Sequence, residues 1–303
     1  MTLEKTRVNT NGLHPKHPTA PIPAREASSV AAAGTLRVTV VIPARNEAES
    51  LPYVLEKIPS WVHEVILVDG LSIDETVEVA RRNLPQIRIV HQTGKGKGNA
   101  LREGFYNATG DVIVSLDADG SMDPGEMNRF VELIELGFDY VKGSRMMPGG
   151  SSEDLTTIRR IGNWFFRTIT NTISGSRFSD LCYGYFAVRR NAIDLLDLRA
   201  DGFEIETEIN IRAHRAGLRV GEVPSSEFAR RHGTSQLSAF KDGVRILATI
   251  FRTSLGRQAT VAEEDRVLHD GMSVLRRDLA AQVHISVDSD QADPHRPRDP
   301  SGA

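Results

Sequence analysis

The sequence predicts an α/β domain with a mostly parallel sheet that is flanked by helices. From Leu36 onward, short runs rich in β-branched residues alternate with segments of helical periodicity, a pattern typical of parallel strands joined by right-handed crossovers. Three of these runs also end in polar residues, after Pro43, at Asp69 and at Asp117. Because the carboxyl ends of parallel strands meet at one edge of a sheet, where open α/β sheets bind ligands, the same pattern predicts the position of a site.

Each element is predicted from its own pattern. Strands are expected where β-branched runs are short and bounded by turn residues, at 36–43, 64–69, 87–91, 112–116, 139–143, 183–188 and 218–223. The first helix is expected to begin at Arg45 or Asn46 with acids in its first turn, and the second to be capped by Ser72 or Asp74. Further helices are expected at 99–108, 123–135, 155–173, 205–216 and 238–254.

Composition predicts the limits of the folded domain and disfavours some classes of function. Residues 1–34 and 257–303 are polar or charged and weakly periodic, so both are predicted to be largely disordered tails around a folded domain at 35–256. The net charge of −3 does not favour nucleic acid as a partner. The single cysteine, Cys182, fits a reducing, cytoplasmic compartment. Neither a membrane span of about 18 apolar residues nor a secretory signal is predicted, and the sequence carries no signal for oligomeric state.

Asp117 and Asp119 follow a buried strand, and alternate residues of an extended chain face the same way. Two carboxylates so placed repel each other unless a cation lies between them. Mg²⁺ or Mn²⁺ prefers such oxygen ligands and keeps positions for phosphate. An acidic turn with Asp119-Gly120 as its turn dipeptide explains the same residues, so both interpretations stay open at this point.

A glycine-rich loop at 94–98 contains Lys95 and Lys97. It matches neither a Walker loop nor G-x-G-x-x-G, but its glycines permit close backbone approach and its lysines could bind a diphosphate. A mobile basic loop is the alternative. Glu47 and Asp69, at the ends of neighbouring strands, could accept hydrogen bonds from a base or a ribose. Together these groups favour a nucleotide site at the sheet edge.

Several segments of the chain form a recognisable series. They are VIPARNEAESL, VILVDGLSIDET, the glycine-lysine loop, VSLDADGSMDP, VKGSR, SDLCYGYFAVRR and GEVPSSEFARRHGTSQLS. In order and spacing they resemble GT-A glycosyltransferases of family 2, most of all the dolichol- and polyprenyl-phosphate mannosyl- and glucosyltransferases. The resemblance implies a GT-A fold and an inverting, Mg²⁺- or Mn²⁺-dependent transfer of a hexose from a GDP- or UDP-sugar to polyprenyl or dolichyl phosphate.

The resemblance also implies roles for individual residues. The nucleoside pocket would be lined by Pro43, Ala44, Arg45, Glu47 and Asp69. The nucleotide and its diphosphate would be contacted by Lys95, Lys97, Asp117, Ala118, Arg231 and Ser235, with Asp117 and Asp119 as metal ligands. The acceptor phosphate would be bound by Arg159, Arg160 and Asn163, while Arg145 would face the reaction centre as a catalytic residue beside Asp119.

Two positions depart from the family's pattern. Ser121 stands where the subgroup often has a glutamine that helps to hold the metal, so the metal's affinity or geometry is expected to differ. Gln236 replaces a lysine of the closing segment, which removes one cation from the phosphate end. Arg230, Arg231 or His232 could supply the missing charge.

The acceptor decides which catalytic groups are needed. A phosphate monoester, with a second pKa of about 6, is already a dianion at neutral pH and needs only cations to hold it. A hydroxyl acceptor on a soluble molecule or a glycan would need a general base, for which Glu206 and Glu208 are the candidates. Both could equally form the acidic first turn of a helix. A non-catalytic nucleotide-sugar binding protein is the weaker hypothesis, because both acids of the D-x-D pattern are present.

The helix predicted at 238–254 has an apolar stripe of Phe240, Val244, Leu247 and Phe251 beside basic residues. Basic amphipathic helices can lie in a membrane interface, which would make the protein peripheral to the cytoplasmic face of a membrane. A helix packed on the core or on a partner subunit has the same pattern, so both interpretations stay open.

Overall fold

The computed structural model describes residues 36–233 and 238–255 of the chain. The predicted tails at 1–34 and 257–303 lie outside these residues, as do Ser235 and Gln236, and what was expected of them stays a prediction. Within the described ranges, no helix combines the length and the apolar character that crossing a bilayer requires.

The fold is centred on a mixed sheet of seven strands in the order β3-β2-β1-β4-β7-β5-β8. These strands are β1 (Val38–Ala44), β2 (Glu64–Asp69), β3 (Arg88–His91), β4 (Val112–Ser115), β5 (Tyr140–Ser144), β7 (Phe186–Arg189) and β8 (Val220–Pro224). A short parallel pair is formed by β6 (Ser151–Ser152) and β9 (Ser226–Glu227). Neighbouring strands of the large sheet are parallel except that β7 runs antiparallel to both β4 and β5, so the predicted mostly parallel α/β class is confirmed.

Helices cover both faces of this sheet. They are α1 (Leu51–Leu55), α2 (Thr76–Asn83), α3 (Lys97–Asn107), α4 (Met127–Glu135), α5 (Thr157–Ser174), α6 (Arg190–Ile193), α7 (Ile205–Arg215) and α8 (Ala239–Leu255). Alternation along β1 divides the core, because Val40 and Ile42 pack on the side of α1 and α4 while Val41 packs on the side of α3 and α7. A third apolar cluster, which includes Leu181, Ile211 and Ile250, lies among α5, α7 and α8.

The predicted first helix begins later than expected. It was expected to begin at Arg45 or Asn46, but Asn46 has a φ of +57° and α1 begins only at Leu51. A left-handed residue ends any right-handed helix, so Glu47 and Glu49 lie in a turn. The turn is fixed by paired hydrogen bonds, since Asn46 N–H donates to Ser72 Oγ and Ile73 N–H donates to Asn46 Oδ1.

The third helix begins inside the glycine-rich loop rather than at Asn99. Lys97 is its first residue, and Gly96 precedes it with a φ of +91°. A side chain at Gly96 or Gly98 would collide with the backbone of residues 200–202, so these glycines let the loop pack against the segment that leads into α7. The predicted strand at 183–188 is likewise shorter, because β7 begins at Phe186 and residues 180–185 form the approach to it.

Candidate active site at the carboxyl edge of the sheet

The sheet topology brings the functional segments to a single edge. Ala44 pairs with Asp69 across β1 and β2, and Val41 pairs with Ser115 across β1 and β4. Because β7 is antiparallel to β4, its first residue, Phe186, lies opposite Ser115, so the residues before β7 reach the same edge as Asp117. The ends of β5 and β8 arrive there too, since Ser144 pairs with Pro224.

A cavity of about 380 Å³ opens at this edge on the side of β1 and β2. It is lined by most of the residues predicted to hold the donor: Pro43, Ala44, Arg45, Glu47, Lys95, Lys97, Asp117, Ala118 and Asp119. We call it the donor-side cavity. Asp69 does not line it. Its carboxylate accepts the N–H of Ser72 at 3.1 Å and lies 3.4 Å from Nδ1 of His91, so it stabilises the loop beneath the cavity.

Lys97 is the buried centre of a charge cluster. Its Nζ lies 2.6 Å from Asp117 Oδ1 and 2.7 Å from Glu206 Oε1. Although burial opposes its charge, the two carboxylates raise the pKa of Lys97 above its usual value. A Cβ at Gly184 would lie 2.7 Å from both Glu206 Oε1 and Lys97 Nζ. A larger residue at that position would therefore displace one or both ends of this ion pair.

Burial and mutual repulsion raise the pKa values of two acids at this site. Burial, with the charges of Asp119 and Glu206, raises the pKa of Asp117 to about 6 against the opposing effect of Lys97. Burial and the charge of Asp119 raise the pKa of Glu47 to about 7. Four carboxylates thus face two cations, Lys97 and Arg230, and the excess of negative charge is what a divalent cation would neutralise.

Asp119 is held by the segment that follows β9. Nη2 of Arg230 lies 2.8 Å from Asp119 Oδ2, and Ser121 N–H donates to Asp119 Oδ1 at 3.0 Å. The segment is fixed by two backbone hydrogen bonds, from Phe228 N–H to Ser121 O and from Arg231 N–H to Asp119 O. The Nε of Arg230 is buried and has no hydrogen-bond partner among the described residues.

Arg230, and not Arg231, is therefore the arginine that reaches the predicted metal ligand. The guanidinium of Arg231 lies 5.5 Å from the ring centre of Tyr53, at the surface. The sequence assigned the donor role to Arg231 and mentioned Arg230 only as a compensating cation. The R-x-x-G spacing to Gly233 selects Arg230, and that signal could have found it.

Asp117 and Asp119 could hold a metal only together with ligands from elsewhere. Within the described part of the chain, no three His, Cys, Asp or Glu side chains lie close enough to form an ion site by themselves. Two carboxylates with open positions suit Mg²⁺, which is commonly bound by one or two carboxylates together with substrate phosphates. The residues present thus fit a metal that is shared with a bound diphosphate.

A second cavity, of about 230 Å³, lies between α5 and α8 and shares Lys97, Asp117, Asp119 and Arg230 with the first. We call it the acceptor-side cavity. Arg159 and Asn163 line it, while Arg160 is exposed and lies outside it. Arg159 Nη1 lies 3.2 Å from Asp154 Oδ2. Asn163 is buried and its Oδ1 accepts the N–H groups of residues 181 and 182, which ties α5 to the approach to β7.

Arg145 lines the acceptor-side cavity, but its donors are engaged. It forms a two-point ion pair with Asp180, at 2.8 and 3.0 Å, and a third contact of 3.0 Å to Glu227. Although burial opposes ionisation, the Arg145 guanidinium lowers the pKa of Asp180 to about 2. In this arrangement Arg145 joins the end of β5 to the approach to β7 and to β9.

Glu206 and Glu208 lie in the first turn of α7 but in different surroundings. Glu206 lines the acceptor-side cavity and pairs with Lys97. Glu208 is fully buried outside both cavities, where it accepts the N–H groups of Arg199 and Ala200 and pairs with Arg212 at 2.9 Å. The structure therefore brings only Glu206 to the predicted reaction centre.

Comparison with known proteins identifies the family. The family model for glycosyl transferase family 2 matches residues 39–196. An undecaprenyl-phosphate mannosyltransferase of Micrococcus luteus is 34% identical over 215 residues, which cover 67% of this chain and 88% of the relative. A polyprenol monophosphomannose synthase of Mycolicibacterium smegmatis is 32% identical over 218 residues, which cover 67% and 82%.

The fold is also shared with a solved structure. Glucosyl-3-phosphoglycerate synthase from Mycobacterium tuberculosis, in complex with Mn²⁺, uridine diphosphate and glucosyl-3-phosphoglycerate, superposes with a TM-score of 0.59 at 21% identity. The match covers 74% of this chain and 82% of that one. At this identity the likeness shows the fold alone, and the fold is GT-A-like. The chain belongs to glycosyl transferase family 2, and the protein is a glycosyltransferase.

Proposed function

We propose that the protein transfers a hexose from a nucleotide diphosphate sugar to polyprenyl phosphate, with inversion at the anomeric carbon. The observation that carries the proposal is that two cavities meet at one charge cluster, which contains Lys97, Asp117, Asp119 and Arg230. One cavity has the polar lining of a nucleotide site, and the other combines a cation with apolar helix residues. The names of the two relatives support this acceptor.

The donor's leaving diphosphate gains negative charge as its bond to the sugar breaks, and fixed cations stabilise that charge. Arg230 lines both cavities and carries an unpaired buried Nε, so it is placed to donate to a diphosphate oxygen. Asp117 and Asp119 would hold Mg²⁺ or Mn²⁺, which when bound neutralises part of the diphosphate charge. Arg45, Glu47 and Gln92 are polar residues of the donor-side cavity that could contact the nucleoside.

The acceptor-side cavity fits a phosphate on an apolar chain. Arg159 supplies the cation, and the walls include Leu155, Ile158, Phe166 and Ile246. A phosphate dianion attacks without a general base. A hydroxyl acceptor would depend on Glu206 as its base, but the carboxylate of Glu206 is already engaged by Nζ of Lys97 at 2.7 Å.

The test is transfer of radiolabelled sugar from a panel of GDP- and UDP-sugars, with Mg²⁺ or Mn²⁺, to polyprenyl phosphate in detergent micelles. Label in the organic extract supports the proposal and identifies the donor. Release of nucleoside diphosphate without organic label would overturn the lipid acceptor and favour a hydroxyl.

Arg159 and Arg160 provide a matched pair for the acceptor role. The sequence predicted a role for both, whereas the structure places only Arg159 in the cavity. We expect Arg159→Ala to lower turnover of polyprenyl phosphate by tenfold or more in micelles, since it removes a charged partner of the phosphate. Arg160→Ala should stay near wild type. Equal losses in donor affinity and acceptor use for Arg159→Ala would contradict the assignment.

A further inference from the structure

Leu71 has a backbone conformation that leucine rarely adopts. Its φ is +62°, in the left-handed region, and within the described ranges the other non-glycine residues with a positive φ are Asn46 and Asp197. An L side chain crowds the following carbonyl group in this region, so glycine or asparagine usually takes such a position. Strained residues of this kind persist where the surrounding structure enforces them, and they cluster at functional sites.

The neighbours of Leu71 enforce its conformation. The N–H of Gly70 donates to Ala44 O at 2.8 Å, and a Cβ at Gly70 would lie 3.2 Å from that same oxygen. On the other side, Ser72 N–H donates to Asp69 Oδ1 at 3.1 Å, and the Ser72 hydroxyl accepts a backbone N–H from the turn after β1. Because these hydrogen bonds fix both neighbours to the ends of β1 and β2, the backbone at Leu71 is held in the left-handed region from both sides.

Packing within the protein does not account for a leucine at this position. The Leu71 side chain is 56% exposed, so its burial offsets only part of the strain. Glycine would adopt the same φ without crowding. Leu71 does, however, line the donor-side cavity. A molecule bound in that cavity would therefore cover apolar surface that the fold leaves exposed.

Leu71 lies outside the part of the donor-side cavity that is shared with the acceptor-side cavity. Lys97, Asp117, Asp119 and Arg230 line both cavities, whereas Leu71 lines only the donor-side one. Under the proposed function, the sugar and the diphosphate lie where the cavities meet, because the acceptor must reach the bond that joins them. The nucleoside is the part of the donor that remains for the Leu71 end.

The residues near Leu71 suit a nucleobase. Arg45, Glu47 and Gln92 line only the donor-side cavity and offer hydrogen-bonding groups, while Leu71 offers an apolar surface. A nucleobase has polar edges and flat apolar faces, so it is complementary to both kinds of side chain at once. We propose that Leu71 packs against the face of the donor's nucleobase and determines donor affinity through this contact.

Nucleotide binding without turnover tests this contact. With the full-length protein and Mg²⁺, isothermal titration calorimetry compares GDP, UDP and inorganic pyrophosphate, which lacks the nucleoside. We expect Leu71→Ala to bind the preferred nucleoside diphosphate about tenfold more weakly, because it removes apolar surface that the base covers. Its affinity for pyrophosphate should equal that of the wild type. Ile73→Ala is the matched control, since Ile73 is 93% exposed and does not line the cavity.

A glycine at the same position separates the side chain from the backbone. Leu71→Gly removes the apolar surface and also relieves the strain. We expect it to lose nucleotide affinity as Leu71→Ala does, but to unfold at a urea concentration about 0.4 M higher than Leu71→Ala. A leucine with only a structural role would change the unfolding midpoint and leave the nucleotide affinity of both variants unchanged. An equal or lower midpoint for Leu71→Gly would contradict the strain.

Two results would overturn the base contact: unchanged nucleotide affinity in both Leu71 variants, or an equal loss of pyrophosphate affinity, which would indicate a distorted diphosphate site. The role of Leu71 rests on the proposed function, but its test requires no acceptor. Wild-type nucleotide binding by both variants would overturn the base contact and keep the donor. Weakened binding by the variants without a lipid-linked product in the transfer assay would keep the base contact and overturn the acceptor.

Discussion

At the scale of single residues, the site depends on which cation holds which carboxylate. Lys97, which was expected near the donor diphosphate, lines the donor-side cavity and forms ion pairs with Asp117 and Glu206. Arg230 forms an ion pair with Asp119, one of the two predicted metal ligands. If Asp119 held a metal, the Arg230 guanidinium would compete with that metal for the carboxylate, and a displaced guanidinium would be free to contact a donor diphosphate.

This exchange predicts an effect on metal affinity in the absence of donor. In Arg230→Gln the competing cation is lost, so we expect Mn²⁺ to bind a few-fold to about tenfold more tightly, the range of one charge-assisted contact. Electron paramagnetic resonance of free Mn²⁺ measures this without turnover. Arg231→Gln is the control, since its side chain lies at the Tyr53 ring. Weaker Mn²⁺ binding by Arg230→Gln would show that Arg230 does not compete with the metal.

Cys182 provides a second prediction at this scale. Burial, together with the charges of Glu206 and Asp180, raises the pKa of its thiol to about 12. At pH 8 only roughly one thiol in ten thousand is then ionised, against about a quarter for a thiol of ordinary pKa. We expect a disulfide reagent such as dithiobisnitrobenzoate to react slowly with the folded protein and to titrate one thiol per chain in urea. Rapid reaction of the native protein would contradict the raised pKa.

At the scale of elements, the strands and the long helices could be predicted because their patterns are local. The runs that became β2 and β4 alternate with helical periodicity, and no distant contact is needed to recognise them. The turn at Asn46 could not be predicted in the same way. Its φ of +57° is stabilised by Ser72 and Ile73, which are distant in sequence and approach only when β1 and β2 pair.

That turn predicts a difference between two substitutions. Asn46→Gly loses the side-chain hydrogen bond from Ile73 N–H but can still adopt a positive φ. Asn46→Ala loses the same hydrogen bond and also disfavours the positive φ. We expect urea unfolding to show Asn46→Ala about 1 kcal/mol less stable than Asn46→Gly. Both variants should raise the KM for the donor, because the turn positions Arg45 and Glu47 in the donor-side cavity. Equal stability of the two would mean that the turn relaxes to an ordinary φ.

At the scale of the whole molecule, what the sequence could not predict is the set of contacts between distant segments. Only residues 183–185 of the approach to β7 were predicted as part of a strand, but the whole approach contacts the other segments of the site. Arg145 after β5, Asn163 on α5 and Glu206 on α7 all lie along it, and contacts recur at Asp180, Cys182 and Gly184. Antiparallel insertion of β7 between β4 and β5 makes this possible, and no local pattern specifies that order.

Asp180 therefore links global stability to pH. Its carboxylate is fully buried with Arg145 and has a pKa of about 2, below the ordinary aspartate value of about 3.9. The stabilisation is complete above the ordinary value and is lost as the pH falls toward 2. A difference of this size contributes about 2–3 kcal/mol. We expect the free energy of unfolding by urea to fall between pH 4.5 and pH 2.5 more steeply in the wild type than in Asp180→Asn.

The neutral variant should be less stable than the wild type at pH 7, because it leaves a buried arginine without its counter-ion. The free energy of unfolding of Asp180→Asn should nevertheless change less with pH, because the carboxylate that takes up a proton on unfolding is absent. Asp201→Asn is the control, because Asp201 is 68% exposed in its pair with Arg102 and a solvated pair contributes little. A wild-type slope in Asp180→Asn would assign the acid sensitivity to other carboxylates and would leave the Arg145–Asp180 pair without a role in holding β5 against the approach to β7.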